Sequence, residues 1–244
     1  MSKITNVLAV VLVATSIAPS AVFGATNVPN NFCTRLSARD ADLDRAFAAK
    51  QANVEDAQAG QLAKIEATRN SEDARIAARE TATDANRAKR MEVFNARAIT
   101  QAQKDAVAAF GNAINAAETT RRASVEAAFA TQRTAVDSLV ATRQAAVRGI
   151  VANFGADLDA AVAKATASCA ATDAKPSAIQ QVFQADLAAA RTKLAGDMKA
   201  LPKIGMQMAA LRATRIQAVG AARDVFKTAA EAARTELAKF ISVK

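Results

Sequence analysis

The amino-acid sequence predicts an all-α protein, and three observations lead to that prediction. Alanine, which costs nothing to place in a helix, makes up about a quarter of the 244 residues. Helix breakers are scarce, and no proline lies between Pro29 and Pro176. Large apolar residues occur singly at helical spacing, so they would be buried along narrow seams between long helices. We therefore expect an elongated antiparallel helical hairpin or bundle that resembles a coiled coil.

An eleven-residue repeat is the strongest internal pattern. Residues 120–163 divide into four consecutive blocks of eleven, and their apolar residues form two columns, Val125, Val136, Val147, Leu158 and Phe129, Val140, Val151, Val162. Eleven residues make three helical turns, so each column stays on one face of a nearly straight helix. The same spacing links Leu43, Val54, Ile65 and Ile76, with Leu36 and Phe47 on a neighbouring column. This pattern predicts helices with a hendecad repeat.

The first 24 residues have the pattern of a secretory signal peptide. Lys3 precedes an apolar run from Val7 to Ala18, and small residues precede a cleavage site before Ala25. The alternative is an uncleaved membrane anchor. Residues 25–34 form an irregular lead to the first helix. Export would place the protein in the periplasm, on the cell surface or outside a bacterium.

Export gives meaning to the two cysteines, Cys33 and Cys169. In an oxidising compartment a disulfide is the default state, and we expect it to form within one chain. The alternatives are two free thiols or a link between two chains through Cys33.

An intrachain disulfide would require the chain to fold back on itself. Two equal arms joined by Cys33 and Cys169 would reverse near residue 101, where Ile99 and Thr100 are not strong turn residues. Gly111-Asn112 is a better local breaker. We therefore place the reversal between residues 98 and 113, in a hairpin that spans residues 35–175. We expect the first arm to be one continuous helix, since its charged stretch from Ser71 to Arg90 contains neither Gly nor Pro.

The last part of the chain, residues 176–244, is predicted to be a pair of helices that packs on the hairpin. Pro176 or Ser177 starts the first of them, and Pro202 interrupts the path to the second, which covers about residues 206–242. This section carries 11 basic and 5 acidic residues, whereas residues 35–105 and 106–175 each have a net charge of +1. We expect the two arms to present charge-balanced, solvated faces. The candidate face for an anionic partner comprises Arg212, Arg215, Arg223, Lys227, Arg234 and Lys239. The alternative is a soluble basic surface beside acidic residues of the hairpin.

The composition argues against catalysis. The chain has no His, Trp or Tyr, so the usual general base, metal ligand and triad member are missing. The two cysteines are far apart and lack a CxxC partner, which argues against a zinc site. No Gly-rich loop could hold a phosphate, since Gly149 and Gly155 lie inside the helical repeat. We expect no enzymatic activity, no cofactor and no metal.

Three functions remain. The leading one is a secreted structural or interaction protein, a rod-like scaffold whose partner is another protein or a second copy bound through helix seams. The alternative is an amphipathic protein that binds a surface, such as anionic lipid, a cell-wall polymer or an unfolded client, through its basic C-terminal helices. Nucleic-acid binding rests on charge alone, because aromatic stacking platforms are lacking. A narrow seam of Ala, Val and Leu suits helix pairing better than lipid insertion, which favours the scaffold.

Overall fold

A computed structural model describes residues 32–173 and 175–241, and all of its regular structure in those ranges is helical. A 3-10 turn at Cys33–Arg35 precedes four α-helices: α1 (Leu36–Arg97), α2 (Gln101–Cys169), α3 (Pro176–Ala200) and α4 (Gly205–Ala238). The predicted all-α class and the continuity of the first arm are confirmed. The predicted signal peptide, residues 1–24, and residues 25–31 of the predicted lead lie outside the described residues.

The reversal between α1 and α2 occurs at residues 98–100, inside the predicted range. Thr100 and Gln103 form a capping box: Thr100 Oγ1 accepts from the backbone N–H of Gln103 at 3.3 Å, and Gln103 Oε1 accepts from that of Thr100 at 3.0 Å. Gln103 Oε1 also accepts from the backbone N–H of Ile99 at 2.9 Å. This Thr-x-x-Gln pattern is a local turn signal that contains neither Gly nor Pro, whereas the local breaker behind the predicted range contains a glycine.

Gly111, the alternative turn residue, lies inside α2 instead. Its role is to allow a close approach, since a Cβ at this position would lie 2.9 Å from Cε of Met91. The turn therefore follows the local capping signal rather than the breaker signal of Gly111-Asn112.

Prolines set the other boundaries. Pro176 occupies the first turn of α3, where a missing N–H is tolerated. Residues 201–204, which include Pro202, separate α3 from α4.

The described helices pack as two compact units. Unit 1 contains α1 up to Ala57, α2 from Thr142, and α3, up to Gly205. Unit 2 contains α1 from Gln58, α2 up to Ala141, and the chain from Met206 onwards, which forms α4. This division differs from the predicted hairpin and separate C-terminal pair, because α3 and α4 each pack with a different section of α1 and α2.

Unit 1 has one apolar core. Phe183 and Leu187 of α3, each 2% exposed, are the most deeply buried of its large residues. The Phe32 and Phe183 rings lie 5.7 Å apart, and the Phe47 and Phe154 rings 6.3 Å apart. The buried members of this core are Phe32, Leu36, Phe154, Leu158, Ala161, Ala165, Phe183, Leu187 and Ala190.

Unit 2 has two smaller apolar clusters. One contains Ala98, Val107, Leu237 and Ile241 and lies beside the reversal. The other contains Ile114, Ala230 and Ala233. Val125, Val136, Val140 and Ala222 are also buried in this unit, together with the charged residue Glu118.

The apolar columns predicted on α2 face the interior of the units. Val125, Val136 and Leu158 are buried in the first column, and Val140 and Val151 in the second. Val147, Phe129 and Val162 are half-buried.

Candidate functional site

The disulfide between Cys33 and Cys169 joins the start of the first arm to the end of α2. The two Cα atoms are 5.7 Å apart and the two sulfurs 2.00 Å apart. Both residues pack against the apolar core of unit 1. The intrachain pairing is thus the one that the structure contains, rather than free thiols or a link through Cys33 to a second chain.

Charged side chains of α1 and α2 pair between the two helices in unit 2, at positions that range from half-buried Arg122 to exposed Asp73. Asp73 of α1 accepts two hydrogen bonds from the guanidinium of Arg133, one of them to Oδ2 at 3.1 Å. Nearer the reversal, Arg122 Nη2 lies 2.5 Å from Oδ1 of Asp84. Arg122 Nε lies 3.9 Å from Oε1 of Glu80. We call this set the ion-pair seam; its members are Glu72, Asp73, Glu80 and Asp84 on α1, Glu118, Arg121, Arg122 and Arg133 on α2, and Arg215 on α4.

Glu118 is the most deeply buried charge of the seam, at 3% exposure. It accepts from Arg121 Nε at 2.8 Å and Nη2 at 2.7 Å, and from Arg122 Nε at 2.9 Å. The hydrogen bond from Arg121, supported by Arg122, lowers the pKa of Glu118 to about 2 despite burial, which opposes this shift. The carboxylate therefore stays ionised, and its bonds to the two guanidiniums offset the cost of burying it.

The same electrostatics act on the other members. The hydrogen bond from Arg133 lowers the pKa of Asp73. The hydrogen bond to Asp84 raises the pKa of Arg122, and that to Asp73 raises the pKa of Arg133. The paired groups hold each other in the charged form.

Arg215 joins α4 to the seam. Its Nη1 lies 3.3 Å from Oε1 of Glu72, and its guanidinium lies over the ring of Phe129 at 4.5 Å. The Arg215 side chain is 16% exposed. This cation–π contact and ion pair place Arg215 inside the unit rather than on the predicted face for an anionic partner.

Four of the other five residues of that predicted face lie on the outside of α4, and Lys239 lies in the turn that follows it. Lys239 pairs with Glu236 at 2.6 Å. Arg212, Arg223, Lys227 and Arg234 are exposed, and none has an ion pair among the residues that the structure describes. Arg212, Arg223 and Arg234 are spaced by eleven residues, so they share one line along the helix.

The seam corrects the expectation that the arms present solvated, charge-balanced faces. The column of Leu36 and Phe47, continued by elevens, reaches Arg69 and Glu80. Both are half-buried, and Arg69 Nη2 lies 2.7 Å from Oδ1 of Asp137 on α2. The position of these two residues in an apolar column therefore indicates that charged side chains turn inward here. This differs from the prediction that the charged stretch from Ser71 to Arg90 faces solvent.

The acidic and basic side chains of the seam neutralise one another. Each carboxylate discussed here is engaged by at least one guanidinium, which leaves it poorly suited to act as a general base. Within residues 32–173 and 175–241, no group of three or more His, Cys, Asp or Glu side chains could hold a metal ion. In the same ranges, no helix combines the length and hydropathy needed to cross a membrane.

Comparison of the chain with protein families, with curated proteins and with solved structures gives no match.

Proposed function

We propose that this chain is an exported, non-enzymatic helical scaffold that presents its outer helix faces to other components of the cell envelope or the extracellular space. The observation that supports this most is the ion-pair seam. Its pairs between helices, such as Glu72 with Arg215, join residues far apart in sequence, so each of them favours one register. Glu118 pairs with Arg121 and Arg122 within α2. Charges paired in this way favour a role in fixing the arrangement of the helices over a catalytic role.

The eleven-residue spacing of Val125, Val136 and Leu158, all buried, supports a hendecad, coiled-coil-like packing as part of this proposal. The helix that carries these residues, α2, has 69 residues. Long helices held in one register suit a spacer or docking platform.

The disulfide supports export, because such bonds persist in oxidising compartments and are rare in the cytosol. The predicted signal segment points to the same compartments. The partner in this proposal is another protein or a second copy of the chain.

Thermal unfolding followed by circular dichroism tests the scaffold against the surface-binding alternative. A scaffold keeps its full helicity without partners, unfolds cooperatively, and is unaffected by vesicles of anionic lipid. Helicity that rises with vesicles and falls again in high salt would replace the scaffold with a lipid-binding function.

Mass spectrometry of the mature protein tests export separately. We expect an N-terminus at Ala25 and, without reduction, a peptide that joins Cys33 to Cys169. An unprocessed N-terminus together with free thiols would contradict export.

A further inference from the structure

The ion-pair seam leaves the outer side of α1 rich in arginine. The acidic residues from Glu72 to Asp84 turn towards arginines of α2 and α4. Four exposed arginines, with no ion pair among the described residues, remain between residues 75 and 97: Arg75, Arg79, Arg90 and Arg97. They extend over about 33 Å of helix at 1.5 Å per residue. A section whose sequence is charge-balanced is therefore basic on its surface.

These arginines lie beside α4. On α1 the half-buried positions Val54, Ile65 and Ile76 recur every eleven residues, so each residue advances by about 98°. Glu72 faces α4, and Asp73, one residue on, faces α2. Arg75 and Arg79 follow Glu72 by three and seven residues, which turns them about 65° and 30° from Glu72, in the direction away from α2. Arg90 points in the same direction as Arg79, and Arg97 in the same direction as Arg75, because each pair is separated by a multiple of eleven residues.

The arginine line of α4 lies beside the same groove. Arg215 meets Glu72, and Leu237 shares a cluster with Ala98, so α4 runs in the same direction as α1. Seen with α1 and α4 both pointing towards the observer, an anticlockwise path around α1 meets α4 first and then α2. Because the three helices form a triangle, an anticlockwise path around α4 meets α2 first and then α1. The arginine line of α4 consists of Arg212, Arg223 and Arg234, and each follows a buried or half-buried residue by one position. One position along a right-handed helix is an anticlockwise step in this view, so each arginine lies on the side of α4 that is next to α1.

The two lines are matched in height. Arg79 and Arg223 lie seven and eight residues beyond the contact of Glu72 with Arg215, and Arg90 and Arg234 lie eleven residues further on each helix. Two pairs of arginines thus face each other across the groove, about 16 Å apart along it. Packed helices have axes about 8–10 Å apart, so the groove is narrow.

We propose that this groove, lined by Arg75, Arg79, Arg90 and Arg97 on α1 and by Arg212, Arg223 and Arg234 on α4, binds one extended chain of a linear acidic polysaccharide. Guanidiniums form bidentate hydrogen bonds with carboxylates, and a polymer that carries a carboxylate on every unit can place one opposite each arginine pair of a narrow groove. The proposal adds a partner to the scaffold and rests on the proposed export for the compartment in which that partner occurs.

Other polyanions fit the groove less well. Exposed apolar residues near it, Val93 and Ile216, are isolated, whereas membrane insertion needs a wide apolar face. Among the large apolar residues exposed in the described ranges, Phe240 is the one aromatic, so single-stranded nucleic acid would find no row of stacking platforms.

Binding of the oxidised, full-length mature protein to polygalacturonate, measured by titration calorimetry over a range of salt concentrations, tests the proposal. The groove variant carries Arg79→Gln, Arg90→Gln, Arg223→Gln and Arg234→Gln. The matched control carries Lys89→Gln, Lys104→Gln, Lys199→Gln and Lys203→Gln, four exposed residues outside the two arginine lines, so it loses the same charge. Circular dichroism checks that both variants remain folded, which we expect because all eight residues are exposed.

We expect the groove variant to bind about tenfold or more weakly, with a salt dependence reduced by about three in log–log slope, and the control to change by less than about twofold. Equal losses in both variants would reduce the effect to net charge and overturn the proposal. Tighter binding of inorganic polyphosphate, an oligodeoxythymidine or anionic vesicles than of polygalacturonate would also overturn it. A failure here leaves the unfolding test of the scaffold unaffected, so the two proposals fail separately.

Discussion

The two units share α1 and α2 but fill their interiors differently. Unit 1 packs phenylalanine, leucine and alanine into one cluster and keeps its ion pairs, such as Lys164 with Asp186, at the rim. Unit 2 buries Glu118 with two half-buried arginine partners, one helical turn beyond Ile114 of its second apolar cluster. Apolar contacts are non-directional, whereas an unpaired buried charge is costly. Unit 1 therefore gains stability from burial, while unit 2 gains specificity of register.

Removal of the disulfide is the largest change expected in unit 1. The bond closes a loop of 136 residues, and chain entropy predicts that it stabilises the fold by about 5 kcal/mol. Cys33→Ser with Cys169→Ser should lower the free energy of unfolding, measured in guanidinium chloride, by about that amount. Hydrogen exchange should show the loss first at Leu187 rather than at Leu237; equal loss at both amides would contradict the assignment of the effect to unit 1.

Glu118 tests whether the interior of unit 2 depends on paired charge. Glu118→Gln leaves Arg121 and Arg122 partly buried without their carboxylate and should cost on the order of 2–3 kcal/mol in urea unfolding. Glu126→Gln makes the same chemical change at an exposed position of α2 and should cost less than about 0.5 kcal/mol. Similar costs for the two variants would show that the seam contributes little to stability.

The pH dependence of stability gives an independent test of the same residue. The folded-state pKa of Glu118 is about 2, below its ordinary value of 4.5, so its contribution is complete above about pH 4.5 and is lost as the pH falls towards 2. The protein with Glu118→Gln should therefore lose less stability over this range than the unaltered protein. Parallel curves of unfolding free energy against pH for the two proteins would contradict the ionised, doubly paired carboxylate.

Two glycines of α2 in unit 1 should respond in opposite directions to alanine. A Cβ at Gly155 would lie 2.7 Å from Cζ of Phe47, so Gly155→Ala should destabilise the protein by about 1–2 kcal/mol through crowding. No atom lies within 4 Å of a Cβ at Gly149, and Gly149→Ala should stabilise the helix by about 0.5–1 kcal/mol. The midpoints of urea unfolding measure both changes, and a gain at both sites would show that the interior of unit 1 yields at Phe47.

The sequence by itself determined the helical class and the breaks at Pro176 and Pro202, favoured a disulfide within one chain, and confined the reversal to residues 98–113. These features follow from signals that act over a few residues, or from the single constraint that a disulfide imposes. The capping box of Thr100 and Gln103 was available in the same way. The turn could therefore have been placed from sequence alone.

Only the tertiary structure decided which charges are inside. Asp84 and Arg122 are 38 residues apart and Glu72 and Arg215 are 143 apart, so their pairing depends on the register of three helices. That register also separates the acidic side of α1 from its arginines, although the section as a whole is nearly neutral in sequence. A net charge counts residues whichever way their side chains point, and helix packing sets that direction. The basic groove between α1 and α4 is a consequence of this packing.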